Sequence, residues 1–166
     1  MDEALQLDEQ FAIVSETERG TIPLRVLKHG DTFAVFDPHG DMSAARSSEH
    51  GLYHTGTRFL SACELLLGNR PPVLLSSTVS EDNTVFSADL TNPEVMADGR
   101  VVVARGLLHV FRSRVLWNGS CVERVRVANH ALHRIDATIS LRFDSDFADI
   151  FEVRGTHRVR RGRRLP

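Results

Sequence analysis

Cysteine, nucleotide-binding glycine motifs and long apolar runs are all scarce or missing in this 166-residue sequence. The two cysteines, Cys63 and Cys121, lie far apart, with no CxxC or Cys/His ligand spacing. That excludes a zinc knuckle and leaves two buried free thiols as the expectation. No apolar run approaches the ~20 residues of a membrane helix. The opening MDEALQLDEQF is acidic, where a secretory leader would be basic and then apolar, so a cytoplasmic location is the default expectation. No GxSxG, Walker A or dinucleotide fingerprint occurs, and glycines such as Gly30, Gly40, Gly51, Gly56 and Gly68 stand alone at turns. No cofactor is expected.

What is present fits one soluble domain: 42% hydrophobic and 25% charged residues, in a chain long enough to bury about 70% of its unfolded surface. The net charge of −2 is unevenly spread. Residues 1–153 carry 14 basic and 22 acidic side chains, whereas residues 154–166 carry six arginines and no acid. An acidic body argues against nucleic-acid binding. The basic end, RGTHRVRRGRRLP, reads as a strand or linker towards a further part of a longer chain, with an RNA-binding tail as the alternative.

The strongest pattern runs from Gly106 to Gly155. Two alternating runs flank Asn118-Gly119, residues that tolerate the positive φ of a type I′ turn, so a long hairpin is predicted. The N-x-S match at Asn118-Gly119-Ser120 carries no meaning beyond that turn. A third strand follows, with Ile135, Ala137, Ile139, Leu141 and Phe143 on a buried face and Arg134 to Asp144 on a wet one. It ends in SDFADIFEV, where the three-residue spacing of Asp146, Asp149 and Glu152 predicts one helical turn. There Phe147, Ile150 and Phe151 are expected to cap the core, with the carboxylates facing out.

Upstream, residues 24–28 and 32–36 form a hairpin about Gly30-Asp31, and Asp37–Asp41 is a turn. Residues 42–50 are expected as a surface loop with one helical turn. Residues 58–67 read as one interior strand, 73–79 and 84–90 as a pair, and 91–99 as a loop. Many short strands and almost no helix predict an all-β, two-layer antiparallel β-sandwich. An acidic arm over 1–21, a sandwich over 22–160 and a basic end over 161–166 complete the expected organisation.

Candidate chemistry is sparse. Asp146, Asp149 and Glu152 could supply the carboxylate pair of a glycoside hydrolase, but acids on one turn do not flank a bond from two sides. They read better as solvated acids or partners for Arg58, Arg142 and Arg154. His50/His54 and His130/His133 are pairs, where a metal needs three or four ligands, so no metal site is expected. Flat exposed rings could stack on sugars, and Trp117 and Tyr53 are the candidates, with edge packing the alternative for Trp117.

Four blocks, GLYHTGTRFLS (51–61), LLSSTVSEDNTVFSADLTNP (74–93), RGLLHVFRSRVLW (105–117) and DFADIFEVRG (146–155), resemble the N-terminal domain of bacterial and archaeal glycogen debranching-type proteins, the amylo-α-1,6-glucosidase relatives. The resemblance spans about residues 22–164 and implies a β-supersandwich placed before an (α/α)₆-barrel that holds the catalytic carboxylates. It departs at Gly56, usually Asp in the family, so any role of that Asp does not transfer. It implies a non-catalytic accessory domain whose partner is the C-terminal barrel of the same parent chain, with α-glucan as a candidate ligand and no catalytic residue here. Arg58, Trp117, Asp146, Asp149, Glu152 and Arg154 are the candidates for sugar or domain contact. Two alternatives remain open: a stand-alone carbohydrate-binding module, and a structural piece whose exposed apolar face makes the isolated domain a homodimer.

Overall fold

The computed structural model describes residues 23–97 and 99–156. The expected arm over 1–21 and the basic end over 161–166 lie outside the described residues. The chain forms β1 (Arg25–His29), β2 (Thr32–Phe36), β3 (Met42–Ser43), β4 (Gly51–His54), β5 (Thr57–Leu60), β6 (Ala62–Leu67) and β7 (Val73–Val79). Then follow β8 (Val85–Thr91), β9 (Val95–Ala97), β10 (Arg100–Val103), β11 (Leu108–Trp117), β12 (Ser120–Asn129) and β13 (Ile139–Asp144). A short α1 (Ile150–Val153) ends the described chain.

All pairings are antiparallel. The sheets have the orders β12-β11-β8-β7, β1-β2-β4-β5 and β13-β6-β3, with β9 and β10 as a separate hairpin. The predicted hairpin at Asn118-Gly119 forms with φ of 48° and 73°, as a type I′ turn demands. It holds an unbroken register from Trp117↔Ser120 to Leu108↔Asn129.

The core lies between two layers. Leu27, Phe36, Met42, Cys63, Leu65 and Leu67 come from one side, and Phe86, Ala88, Leu90, Val110 and Leu116 from the other. Phe36 and Phe86 meet edge-to-face at 4.8 Å across it. Burying each such large side chain contributes about 1.5–3 kcal/mol. The all-β sandwich expected from alternation is the fold observed.

Several local expectations need correction. Met42 and Ser43 are a buried strand, not a surface loop, because they pair with Cys63 and Ala62 in mid-layer. The run 58–67 is two strands in different sheets: Thr55 and Gly56 (φ 46° and 81°) make a tight β4–β5 turn, and the chain changes sheet at Ser61. Residues 91–99 do not form a plain loop, since β9 pairs with β10. The third long strand is shorter, beginning at Ile139, and its apolar row is not buried: Leu141 is 46% and Phe143 58% exposed. Alternation sets which side chains share a face; it does not supply the layer that covers them.

Candidate functional site

The bend that follows β13 is built on Arg58. In β5, Arg58 is turned inward, and the residue is 6% exposed. Its Nε and Nη2 donate to the two oxygens of Asp146 at 3.0 and 2.5 Å, a bidentate fork. Its Nη1 donates to the carbonyls of Ser48 and His50 at 2.6 and 3.0 Å. Gly51 gives this side chain room: with φ at 153°, a Cβ there would press on the Arg58 methylenes and lie 2.7 Å from the Leu60 carbonyl oxygen. Burial would raise the Asp146 carboxyl, but the hydrogen bonds from Arg58 outweigh it and hold the group below its ordinary range.

Backbone bonds stitch the bend along β5. Ser61 N–H donates to Asp144 O, Arg58 N–H to Ala148 O, and Ile150 N–H to Gly56 O, each at 2.9 Å. Between these anchors Phe147 takes φ 50°, a left-handed conformation that a bulky residue adopts only under constraint. Asp149 caps α1, accepting from Phe151 N–H at 2.8 Å, while Glu152 accepts from Asp149 N–H at 3.0 Å to complete a capping box. Arg154 closes the turn through its backbone N–H to Ile150 O.

The expected packing of the bend holds only in part: Ile150 is half-buried and Asp146 faces solvent, but the two rings are not in the core. Phe147 and Phe151 do not cap the core; both rings are exposed, and Phe147 meets the half-exposed Phe59 edge-on at 5.9 Å. The carboxylates are braces at the surface: Asp146, 39% exposed, is held by Arg58, and the half-buried Asp149 and Glu152 satisfy orphan N–H groups at the start of α1.

The remaining candidates are set apart. Trp117, 61% exposed, rests against His29 with centroids 4.2 Å apart, in surroundings unrelated to those of Arg58. Tyr53 is buried, stacked on Phe33 at 4.5 Å, and its hydroxyl donates to Glu49 O. Arg142 pairs with Glu64, which also receives Arg46. His50 accepts from Ser43 N–H and His54 bonds Thr32. Among the described residues no group of three or more His, Cys, Asp or Glu gathers as for a metal.

The largest feature missed by the sequence reading is a buried charge network. Arg112 and Arg114 are the bulkiest fully buried side chains, on the inward face of β11 with Leu108, Val110 and Leu116. Arg112 donates to Asp41 at 2.5 Å and to Glu123 at 2.7 Å. Arg114 also holds Glu123, its direct cross-strand partner, and lies 4.8 Å from the Phe36 ring centroid. Burial opposes ionisation of Glu123, but the two guanidinium groups prevail and keep its carboxyl below the ordinary range. Asp41 also accepts from Leu65 N–H. The alternation of Arg112 and Arg114 with apolar neighbours was the available signal.

In sum of contacts, Asp146, Asp149 and Glu152 are hydrogen-bonded braces on one short bend, and the exposed chemistry beside them is aromatic. A family model described as the N-terminal domain of (some) glycogen debranching enzymes matches residues 27–166. No curated protein and no solved structure matches the chain.

Proposed function

Since the chain belongs to the family of N-terminal domains of glycogen debranching enzymes, we propose that it is a non-catalytic accessory domain of a cytoplasmic, glycogen-debranching-type α-glucosidase. It braces the catalytic barrel of the parent protein and helps to shape its sugar cleft. The observation that carries this reading is the hydrogen bonding of the bend. The carboxylates that could act on a glycosidic bond are committed to Arg58 and to α1, while Phe59, Phe147 and Phe151 are presented outward as contact surface. A hydrolase needs one acid and one base on opposite sides of the bond, at about 5–5.5 or 6.5–9.5 Å separation.

Two measurements test the proposal. The purified chain, incubated with glycogen or a branched limit dextrin, should release no glucose above the buffer blank. Release that Asp149→Asn abolishes would overturn the non-catalytic reading. Joined to a debranching-type barrel domain, the chain should raise the barrel's melting temperature, and Phe147→Ser with Phe151→Ser should reduce that gain. An unchanged barrel would refute the brace.

A direct sugar contact is the second reading, favoured by the exposed ring of Trp117. Titration of maltooligosaccharide should then perturb the Trp117 fluorescence and the NMR signals of its neighbours. No change at millimolar sugar would dismiss it.

A further inference from the structure

We propose that His50 is a proton-sensitive latch for the bend that presents Phe147, acting through the Ser48–His50 backbone and Arg58. It rests on the reading of that ring surface as the contact with the barrel, and it gives that contact a dependence on acidity.

The ring of His50 is held for one protonation state. The residue is 1% exposed, and its Nδ1 accepts from Ser43 N–H at 3.1 Å. An accepting Nδ1 fixes the neutral tautomer with its hydrogen on Nε2, and that buried nitrogen has no partner among the described residues. A second proton would enter at Nδ1 and set two donors against each other. The charges around the ring are mixed. Asp37 and Asp41, on the turn between β2 and β3, favour the cation, and Arg46 of the following segment opposes it. Both acids are already engaged, Asp37 by Arg46 and Asp41 by Arg112. On the backbone side, Arg58 of β5 reaches the His50 carbonyl, with the Tyr53 hydroxyl of β4 at 3.4 Å from its Nη1. Burial outweighs the two carboxylates and keeps the ring neutral. A protonated His50 therefore has to leave its place.

That place is one wall of the Arg58 site. The carbonyls of Ser48 and of His50 itself accept from Arg58 Nη1, and the Glu49 carbonyl between them accepts from the Tyr53 hydroxyl. Movement of the segment removes both carbonyl acceptors of Nη1 in one step. The same rigid guanidinium holds Asp146 through Nε and Nη2, so its two sides are not independent. Asp146 also accepts from Ala148 N–H, and so spans Phe147 from both sides. Phe147 stands at φ 50°, a conformation that persists only while its surroundings impose it. Loosening Arg58 lets that backbone relax and the ring change direction.

The two ends of this linkage titrate in separate ranges. Asp146 is held below its ordinary value and stays ionised above about pH 4. Once released, His50 takes its proton near the ordinary histidine value of about 6.5. Between those limits the histidine, and not the carboxylate, governs the latch. The opened segment binds one proton more than the closed one, so acid favours opening.

Amide hydrogen exchange of the whole 166-residue chain between pH 7 and pH 5, corrected for the intrinsic rate, tests the latch. Ile150 N–H, which donates to Gly56 O at 2.9 Å, reports on the bend, and the amides of β11 report on opening of the whole sandwich. Protection at Ile150 should lie below that of β11 at every pH and fall about tenfold or more towards pH 5. His50→Asn, with His50→Gln as a second neutral replacement, should hold that fall within about twofold. Arg58→Lys should lower protection at pH 7 and flatten its pH response to the same extent, because the link between the two sides is cut. His54, tilted against Phe59 at 6.4 Å, is the other histidine beside the bend, and His54→Gln should leave the wild-type response in place. A flat wild type, a response that survives both His50 variants or is lost with His54, or an Ile150 protected as strongly as β11 overturns the proposal. Exchange is read without the barrel, so a failed latch leaves the accessory-domain reading standing, and an unstabilised barrel leaves the latch standing.

Discussion

Arg112 in β11 and Phe143 in β13 sit on strands of the same kind, and each occupies the environment expected for the other. The guanidinium is in the core and the phenyl ring is in water. The difference lies in what faces each strand. Arg112 meets Asp41 across the sandwich and Glu123 on the neighbouring strand of its own sheet, so its charge is desolvated but answered. Phe143 sits in the same type of inward row, but no described element lies over it. Burial is decided by the opposing layer, and residue type only sets what being wrong about it costs.

The sharpest way to break that contrast is to remove the buried charge. Arg112→Met leaves Asp41 and Glu123 without their shared cation and should cost about 3–5 kcal/mol in urea denaturation. A loss under about 1 kcal/mol would mean that the network is not a buried, mutually dependent unit. At the bend the charge pair is half in solvent. Arg58→Lys loses the fork that Asp146 accepts, so a smaller loss of about 1–2 kcal/mol is expected by the same titration.

The acid response should come in two steps. Burial holds His50 below the ordinary histidine value, so its ring is neutral in the native protein. The unfolded chain then takes up the extra proton, and stability should start to fall as pH drops below about 6.5. Glu123 and Asp146 are held below their ordinary values. Their contribution is present above about pH 4 and disappears as pH falls through their lowered native values. Melting temperature followed from pH 8 to pH 2 should show both declines, and His50→Asn should erase the upper one. Persistence of the upper step in that variant would assign it to another group.

The exposed aromatic side should respond least. Phe147→Gly removes a bulky residue from φ 50° and should stabilise the fold by up to about 1 kcal/mol. A loss of more than about 1 kcal/mol would show that the ring packs more tightly than its exposure implies. A Cβ at Gly56, as in Gly56→Asp, meets nothing closer than Ile150 Cγ2 at 4.0 Å. At φ 81° it should cost no more than about 1 kcal/mol.

Much of the fold was legible because its signals are local. Asn118-Gly119 and Gly30-Asp31 announce their turns through positive φ, and period-two alternation marks β2, β8 and β11. The break at Ser61 was hidden because Phe59 and Cys63 keep a single alternation across a change of sheet. The bend was legible as a helical turn and illegible in its orientation. Arg58 was legible as a possible partner for its acids, but not which of them it would take: it holds Asp146, eighty-eight positions away, while Asp149 and Glu152 bond backbone N–H groups of α1.

By itself the sequence determined the strand-rich class, the hairpins and which side chains share a face, since these follow from backbone preferences over a few residues. Only the tertiary structure decided which face is covered, which charges are paired and which rings meet solvent. Those outcomes depend on groups brought together across the sandwich: Asp41 with Arg112, Asp146 with Arg58, and, over Phe143, no described partner at all.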